Sequence, residues 1–292
     1  MDKYKGIGPG LVKVKIKTSL KDITMTEFIA GTAIIFLASL LQSTTGFGFS
    51  LMATPLLLLF FNPRDAIQIN IVVSLFNSMV LTTQIWREVD RGLLWRLTSG
   101  SILGIPLGAL LFYFLNTGLL KLAVSFVVLL LTALLLYRDF RAAKTAATDP
   151  AKKTSLSGDE STGCGSRGSK QREVLVGLCA GALTTSLGMP GPPLLLYFNS
   201  VNLPKELLRS TTQAFFIFVY GISYLMQALT VHTSGYVLAV SLRFIPATVA
   251  GIVLGLWLFR LISQSLFKAL TYAILIFTGL YMIFTTLATT IS

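Results

Sequence analysis

Ionisable chemistry is scarce in this chain. Among 292 residues histidine occurs once, cysteine twice, and aspartate plus glutamate only 12 times. The two cysteines, Cys164 and Cys179, match no metal-ligand or disulfide spacing. There is no H-E-x-x-H helix, no G-x-S-x-G turn and no pair of carboxylates within an apolar run, so the usual sites of hydrolytic and metal-assisted catalysis are missing. The chain is therefore read as a non-enzyme, with no cofactor and no bound metal expected. Charge as a whole is sparse too, at 12% of residues against roughly 25% in soluble domains.

What fills the space is apolar. Hydrophobic residues make up 53% of the chain and the mean hydropathy is +0.75. Because a spanning helix needs about 20 apolar residues and a central charge costs at least ~2.5 kcal/mol, the apolar blocks read as membrane elements in a lipid bilayer. They fall at 28–45, 49–61, 66–85, 97–115 and 119–137, then at 174–187, 190–201, 210–231, 239–259 and 266–288. The second of each five is too short to cross upright, so 49–61 and 190–201 are expected as re-entrant or half helices. The fold class expected is all-α integral membrane, about eight transmembrane helices plus two re-entrant or half helices. Residues 1–27 form a basic cytoplasmic segment without a signal-peptide pattern, 28–138 a first transmembrane repeat, 139–173 a flexible basic linker and 174–292 a second repeat.

The repeat is visible in the letters. GIPLGALLFYFLNTGLLK from Gly104 and GIVLGLWLFRLISQSLFK from Gly251 align without a gap, matching Gly104 with Gly251, Gly108 with Gly255, Phe112 with Phe259 and Lys121 with Lys268. Earlier in each half a Ser/Thr cluster runs into a Gly-rich break and then an apolar run. Each run is followed by proline, a base and an acid, at Pro63-Arg64-Asp65 and Pro204-Lys205-Glu206. Paired breaks in corresponding positions mark the binding site of a secondary transporter. The glycines four apart at 104/108 and 251/255 are expected to serve close helix contact.

The net charge of +12 sits in the N-terminal segment and the linker, both beside membrane blocks, so it is read as topological and no nucleic acid is expected as partner. Four crossings per half would put the N-terminus, the loop with Arg87, Arg91 and Arg96, and the linker on one face. Arg260 and Lys268 then fall on the wrong face. An inverted second repeat would suit them better and demands a different crossing count.

The candidate solute site is the pair of breaks: Gln42, Ser43, Thr44, Thr45, Gly46, Gly48 and Ser50 in the first, Thr184, Thr185, Ser186, Gly188 and Gly191 in the second. Glycines open backbone angles closed to other residues, prolines 190, 192 and 193 withhold donors, and the short helix that follows offers free amides with the positive end of its dipole. That chemistry suits a small anion. Asn70, Ser74 and Asn77 share one helix face in the third element of the first half, and Thr212, Gln213, Tyr220 and Tyr224 lie in that of the second. Of these, Asn70, Asn77, Gln213 and Tyr220 join the site. No charge lies near the middle of any span, so neutral donors and dipoles carry the work.

The stretches QSTTGFGFSLMATPLLLLFFNPRDAI and GALTTSLGMPGPPLLLYFNSVNLPKEL, in this order within a duplicated membrane protein, resemble the TauE/SafE family of sulfite exporters, also called the toluene sulfonate uptake permease family. The resemblance covers about 28–288 and places the family's glycine-proline breaks on Gly46, Gly48 and Pro55 and on Gly188, Gly191 and Pro193. It implies export or uptake of a small sulfur-containing anion such as sulfite, a sulfonate or sulfoacetate across the cytoplasmic membrane, with a proton as coupling ion. An anion channel or carboxylate transporter of the same fold, and a membrane-embedded scaffold or enzyme subunit, are the alternatives. A homodimer is compatible with any of them.

Overall fold

The computed structural model describes residues 24–85, 88–148, 169–198, 201, 204–231, 233–258 and helical positions between 276 and 284. Among the described residues there is helix and no strand. The helices are α1 (Met25–Thr45), α2 (Phe49–Phe60), α3 (Pro63–Ile85), α4 (Arg91–Phe114), α5 (Thr117–Thr148), α6 (Lys170–Leu187), α7 (Gly191–Phe198), α8 (Lys205–Val231) and α9 (Gly235–Leu258). Five of them, α1, α3, α4, α8 and α9, are long and apolar enough to cross a membrane. The block expected at 266–288 and the single histidine, His232, fall largely or wholly outside the described residues.

Local chemistry sets the boundaries. Thr24 and Glu27 form a reciprocal capping box that starts α1, and the Asp90 carboxylate accepts from the amides of Gly92 and Leu93 to start α4. Asp90 and Pro204 start α4 and α8 several residues before their apolar blocks, and Pro63 opens α3 three residues before its own. Likewise α5 continues to Thr148 and α6 opens at Lys170, so helix takes up both ends of the expected 139–173 linker. Gly46 (φ 83°), Gly48 (φ 109°) and Gly188 (φ 73°) hold left-handed backbone, which ends α1 and α6 at the breaks.

After each break the chain turns back. Phe61, at the end of α2, packs edge-on to Phe244 with centroids 6.3 Å apart, and Phe244 stacks at 6.1 Å on Phe28 in the first turn of α1. In the second half Tyr197 of α7 donates to Glu173 Oε1 at 2.8 Å, and Glu173, in the first turn of α6, is ion-paired with Arg96 of α4. Both α1–α2 and α6–α7 are thus hairpins whose arms end where they began. Met25 and Lys170 open at opposite ends of the bundle, because α3 starts beside the Phe61–Phe244 contact and the end of α4 and finishes beside the start of α8: Arg64 donates to the Tyr113 carbonyl at one end, and Ser210 donates to the Glu88 carbonyl at the other. The expectation that chain entry and linker share one face does not survive this folding back.

The hairpin of each half packs on the fourth helix of the other half. Gly100, Gly104 and Gly108 of α4 lie against the carbonyls of Val174, Leu178 and Ala182 of α6, while Gly177 and Gly181 of α6 lie against those of Leu97 and Ser101. Across the molecule, Gly251 and Gly255 of α9 meet Phe36, Leu40 and Ser43 of α1. Small residues let the backbones approach closely, as their spacing predicts. Apolar side chains such as Leu103, Leu107, Leu225 and Trp257 face outward, and the buried set includes Gln42, Asn70, Asn77, Gln213 and Gln227. A polar interior within an apolar exterior is what a lipid solvent selects.

Gly104→Ala would drive a methyl into the Leu178 carbonyl, which cannot move without its helix. Overpacking of this kind costs ~1–3 kcal/mol, so the variant should melt several degrees below wild type in detergent while Gly191→Ala, with only Leu51 nearby, should not.

Candidate functional site

The two breaks are joined through amide side chains from opposite halves. Gln213 of α8 donates from Nε2 to the Gly46 carbonyl at 2.6 Å, and Asn70 of α3 donates from Nδ2 to the Gly188 carbonyl at 2.9 Å. Each left-handed glycine therefore has its freed oxygen satisfied by the third helix of the other half. Around the first break Gln42 Nε2 reaches Gln213 Oε1 at 3.0 Å and Ser78 Oγ at 3.3 Å, and Asn77 Nδ2 donates to Gln42 Oε1 at 2.8 Å. At the second, Gln227 donates to the Thr185 carbonyl at 2.5 Å, and the Thr185 and Ser223 hydroxyls share a bond of 2.8 Å. Tyr220 bridges to Ser50 at 3.0 Å, in the first turn of α2.

The half helices meet tip to tip. A Cβ placed on Gly191, the first residue of α7, would find only Leu51 of α2, 3.9 Å away. The tips are chemically unequal. The first amides of a helix lack intrahelical partners, and α2 opens Phe49-Ser50-Leu51 behind Gly48, which offers no side-chain cap. In α7 two of the corresponding positions are Pro192 and Pro193, which have no N–H. The donor-rich tip is the first one.

Not every expected residue points a free donor at this place. Ser43 and Thr44 donate to carbonyls of Leu40 and Leu41, and Ser43 Oγ packs against Gly255 of α9. Thr184, Thr185 and Ser186 donate to Ala180, Gly181 and Ala182. Their single protons are held by their own helix, as is common for hydroxyls in apolar helices. Thr212 does the same to Leu208, and the Thr45 side chain lies outside the described residues. Gln42, Gly46, Gly48, Ser50, Asn70, Asn77, Gly188, Gly191, Gln213 and Tyr220 are brought together around the breaks.

Two charged residues escape sequence reasoning. Arg209, one turn into α8, lays its side-chain stem over Gly46 and donates from Nη2 to the Ser43 carbonyl at 2.6 Å. It makes no salt bridge among the described residues, and it lies just outside the apolar block, which is why an inventory of mid-span charge passes over it. Glu173 is buried with Arg96 and Tyr197 at the end of the α6–α7 hairpin, although its sequence position reads as linker. Among the described residues no three His, Cys, Asp or Glu side chains gather to hold a metal.

A helix-break pair of this kind inside an apolar bundle is the architecture of a permease, and the family model for sulfite exporter TauE/SafE matches residues 31–282. This chain belongs to the TauE/SafE family. As a family member it is a multi-pass membrane transporter of sulfur anions. No curated protein and no solved structure matches it.

Removing Asn70 or Gln213 leaves a buried glycine carbonyl bare at a cost of ~1–3 kcal/mol. Asn70→Ala and Gln213→Ala should each lower the melting temperature and weaken substrate-induced stabilisation, whereas Thr44→Ala, which frees only a helix-bonded hydroxyl, should do neither in a thermal melt with and without sulfite.

Proposed function

We propose that this TauE/SafE protein is a secondary transporter that moves a small sulfur-containing anion, such as sulfite, a sulfonate or sulfoacetate, across the cytoplasmic membrane by proton-coupled alternating access. The reading rests on one observation above all: two half-helix tips face each other over the open side of Gly191, with the α2 amides, the Ser50 hydroxyl and the Arg209 guanidinium on the same flank. Fixed amide dipoles and a guanidinium recognise oxyanions well.

The interlocked packing suggests what rocks. Each hairpin is bound through backbone contact to the fourth helix of the other half, so the bodies that move are α1–α2 with α9 and α6–α7 with α4, not the two chain halves. Among the described residues each half opens with a hairpin and the two hairpins enter from opposite ends, which supports an inverted pair of repeats with Arg91, Arg96, Lys170, Arg172 and Arg209 at one end. That end faces the cytoplasm by the positive-inside rule. Arg260 and Lys268, awkward under four crossings, lie outside the described residues.

Two experiments test this. Among sulfite, sulfoacetate, a taurine-like sulfonate, sulfate and a carboxylate, a sulfur anion should selectively raise the melting temperature of the purified protein, and Gly191→Leu should fold yet lose the shift. A shift with the carboxylate alone would overturn the substrate class, and flux in proteoliposomes that never saturates would make the protein a channel. For orientation, in a Cys-free background a cysteine at Asn62 should react with a membrane-impermeant maleimide on intact cells and one at Ser169 should not; the reverse pattern sinks the assignment.

A further inference from the structure

The amides at the breaks form relays whose direction is dictated at one end. A backbone carbonyl can only accept, so the Gly46 oxygen requires the Gln213 amino group. Gln213 Oε1 then faces Gln42 Nε2, and Gln42 Oε1 faces Asn77 Nδ2. The relay ends at Asn77 Oδ1, which has no donor. At the second break the relay is one residue long: Asn70 Nδ2 is held by the Gly188 carbonyl, and Asn70 Oδ1 is left without a donor. Flipping an amide does not help, because it would set oxygen against oxygen at a glycine carbonyl.

Both asparagines are fully buried, at 0% exposure, and share the α3 face with Ser74 between them. A buried acceptor with nothing to accept is costly, and α3 presents two of them beside the breaks, in addition to Gln227 Oε1 of α8 behind Thr185. An oxyanion without hydrogens offers only acceptors and is repelled by both. An anion with its own hydroxyl, ammonium or acid proton can set its charged head on the α2 tip and hand that donor to an asparagine oxygen.

We propose that Asn70 and Asn77 make the site selective for anions that carry a hydrogen-bond donor, a monoprotonated oxyanion or a hydroxy- or amino-substituted sulfonate, over donorless anions of the same size. This rests on the anion-transport reading above. The test is calorimetric titration of purified wild-type protein with ethanesulfonate, 2-hydroxyethanesulfonate and 2-aminoethanesulfonate, which share a head group and differ in the donor. The donor-bearing pair should bind about tenfold tighter or more than ethanesulfonate, the preference a buried unmatched acceptor confers. Asn70→Leu or Asn77→Leu should shrink the ratio between the donor-bearing ligands and ethanesulfonate towards one, and that ratio is the readout because either variant also lowers the affinity for all three; the wild-type series stands by itself if neither variant folds. Equal affinity for all three, or a preference that survives both leucine variants, overturns the proposal, the oxygens then being satisfied by water. Binding of none of the three, nor of sulfite, brings down the anion-transport reading itself.

Discussion

Inside hydrocarbon a backbone carbonyl without a partner costs several kcal/mol, so a helix can be interrupted there only where other protein satisfies what the interruption frees. The structure depends on two such bonds, Gln213 to the Gly46 carbonyl and Asn70 to the Gly188 carbonyl. Each donor comes from the other half of the chain. Neither hairpin is therefore a self-sufficient unit: the breaks are stable only when α3 and α8 lie between them, and the same side chains that hold the breaks belong to the proposed solute site. On that proposal, stability and substrate access rest on one set of amides.

Around that centre the glycine contacts do the mechanical work. Where α4 meets α6, five glycines bring helix backbones against each other, and α1 meets α9 through Gly251 and Gly255. Backbone contact leaves no compliant side chains to absorb sliding, so in the proposed rocking each hairpin would travel with its partner helix. The ends are fastened differently, with aromatic rings at Phe28, Phe61 and Phe244 and with a partly buried ion pair and tyrosine at Arg96, Glu173 and Tyr197. Glu173 is the buried partner, so removing Arg96 would leave its carboxylate uncompensated, which makes the second clasp the more specific of the two.

The two halves are alike in layout and unlike in chemistry. The first break has free amides at 49–51 and Arg209 over Gly46; the second replaces donors with Pro192 and Pro193 and has Gln68 where the aligned Pro-base-acid turns would place the counterpart of Arg209. Under the proposed alternating access, an anion would meet a donor-rich flank and a donor-poor one, an inequality that would favour binding on one side and release on the other.

Much of this was legible in the letters. Composition established a membrane protein, the short second blocks announced half helices, the glycine spacing announced close packing, and Asn70, Ser74 and Asn77 were placed on one helix face, because all of these follow from periodicity and local backbone chemistry. What the sequence by itself could not determine are the pairings across long separations. The Ser and Thr residues of the breaks read as donors to a solute, and only the folded helix shows their protons returned to Leu40, Ala180, Gly181 and Ala182. Glu173 and Arg209 read as linker and flank because charge is judged by neighbours in sequence, whereas burial depends on which helix folds back over them. The direction of that fold-back, and with it the relation of one half to the other, was decided only by tertiary contacts such as Phe61 on Phe244 and Tyr197 on Glu173, which no local pattern encodes.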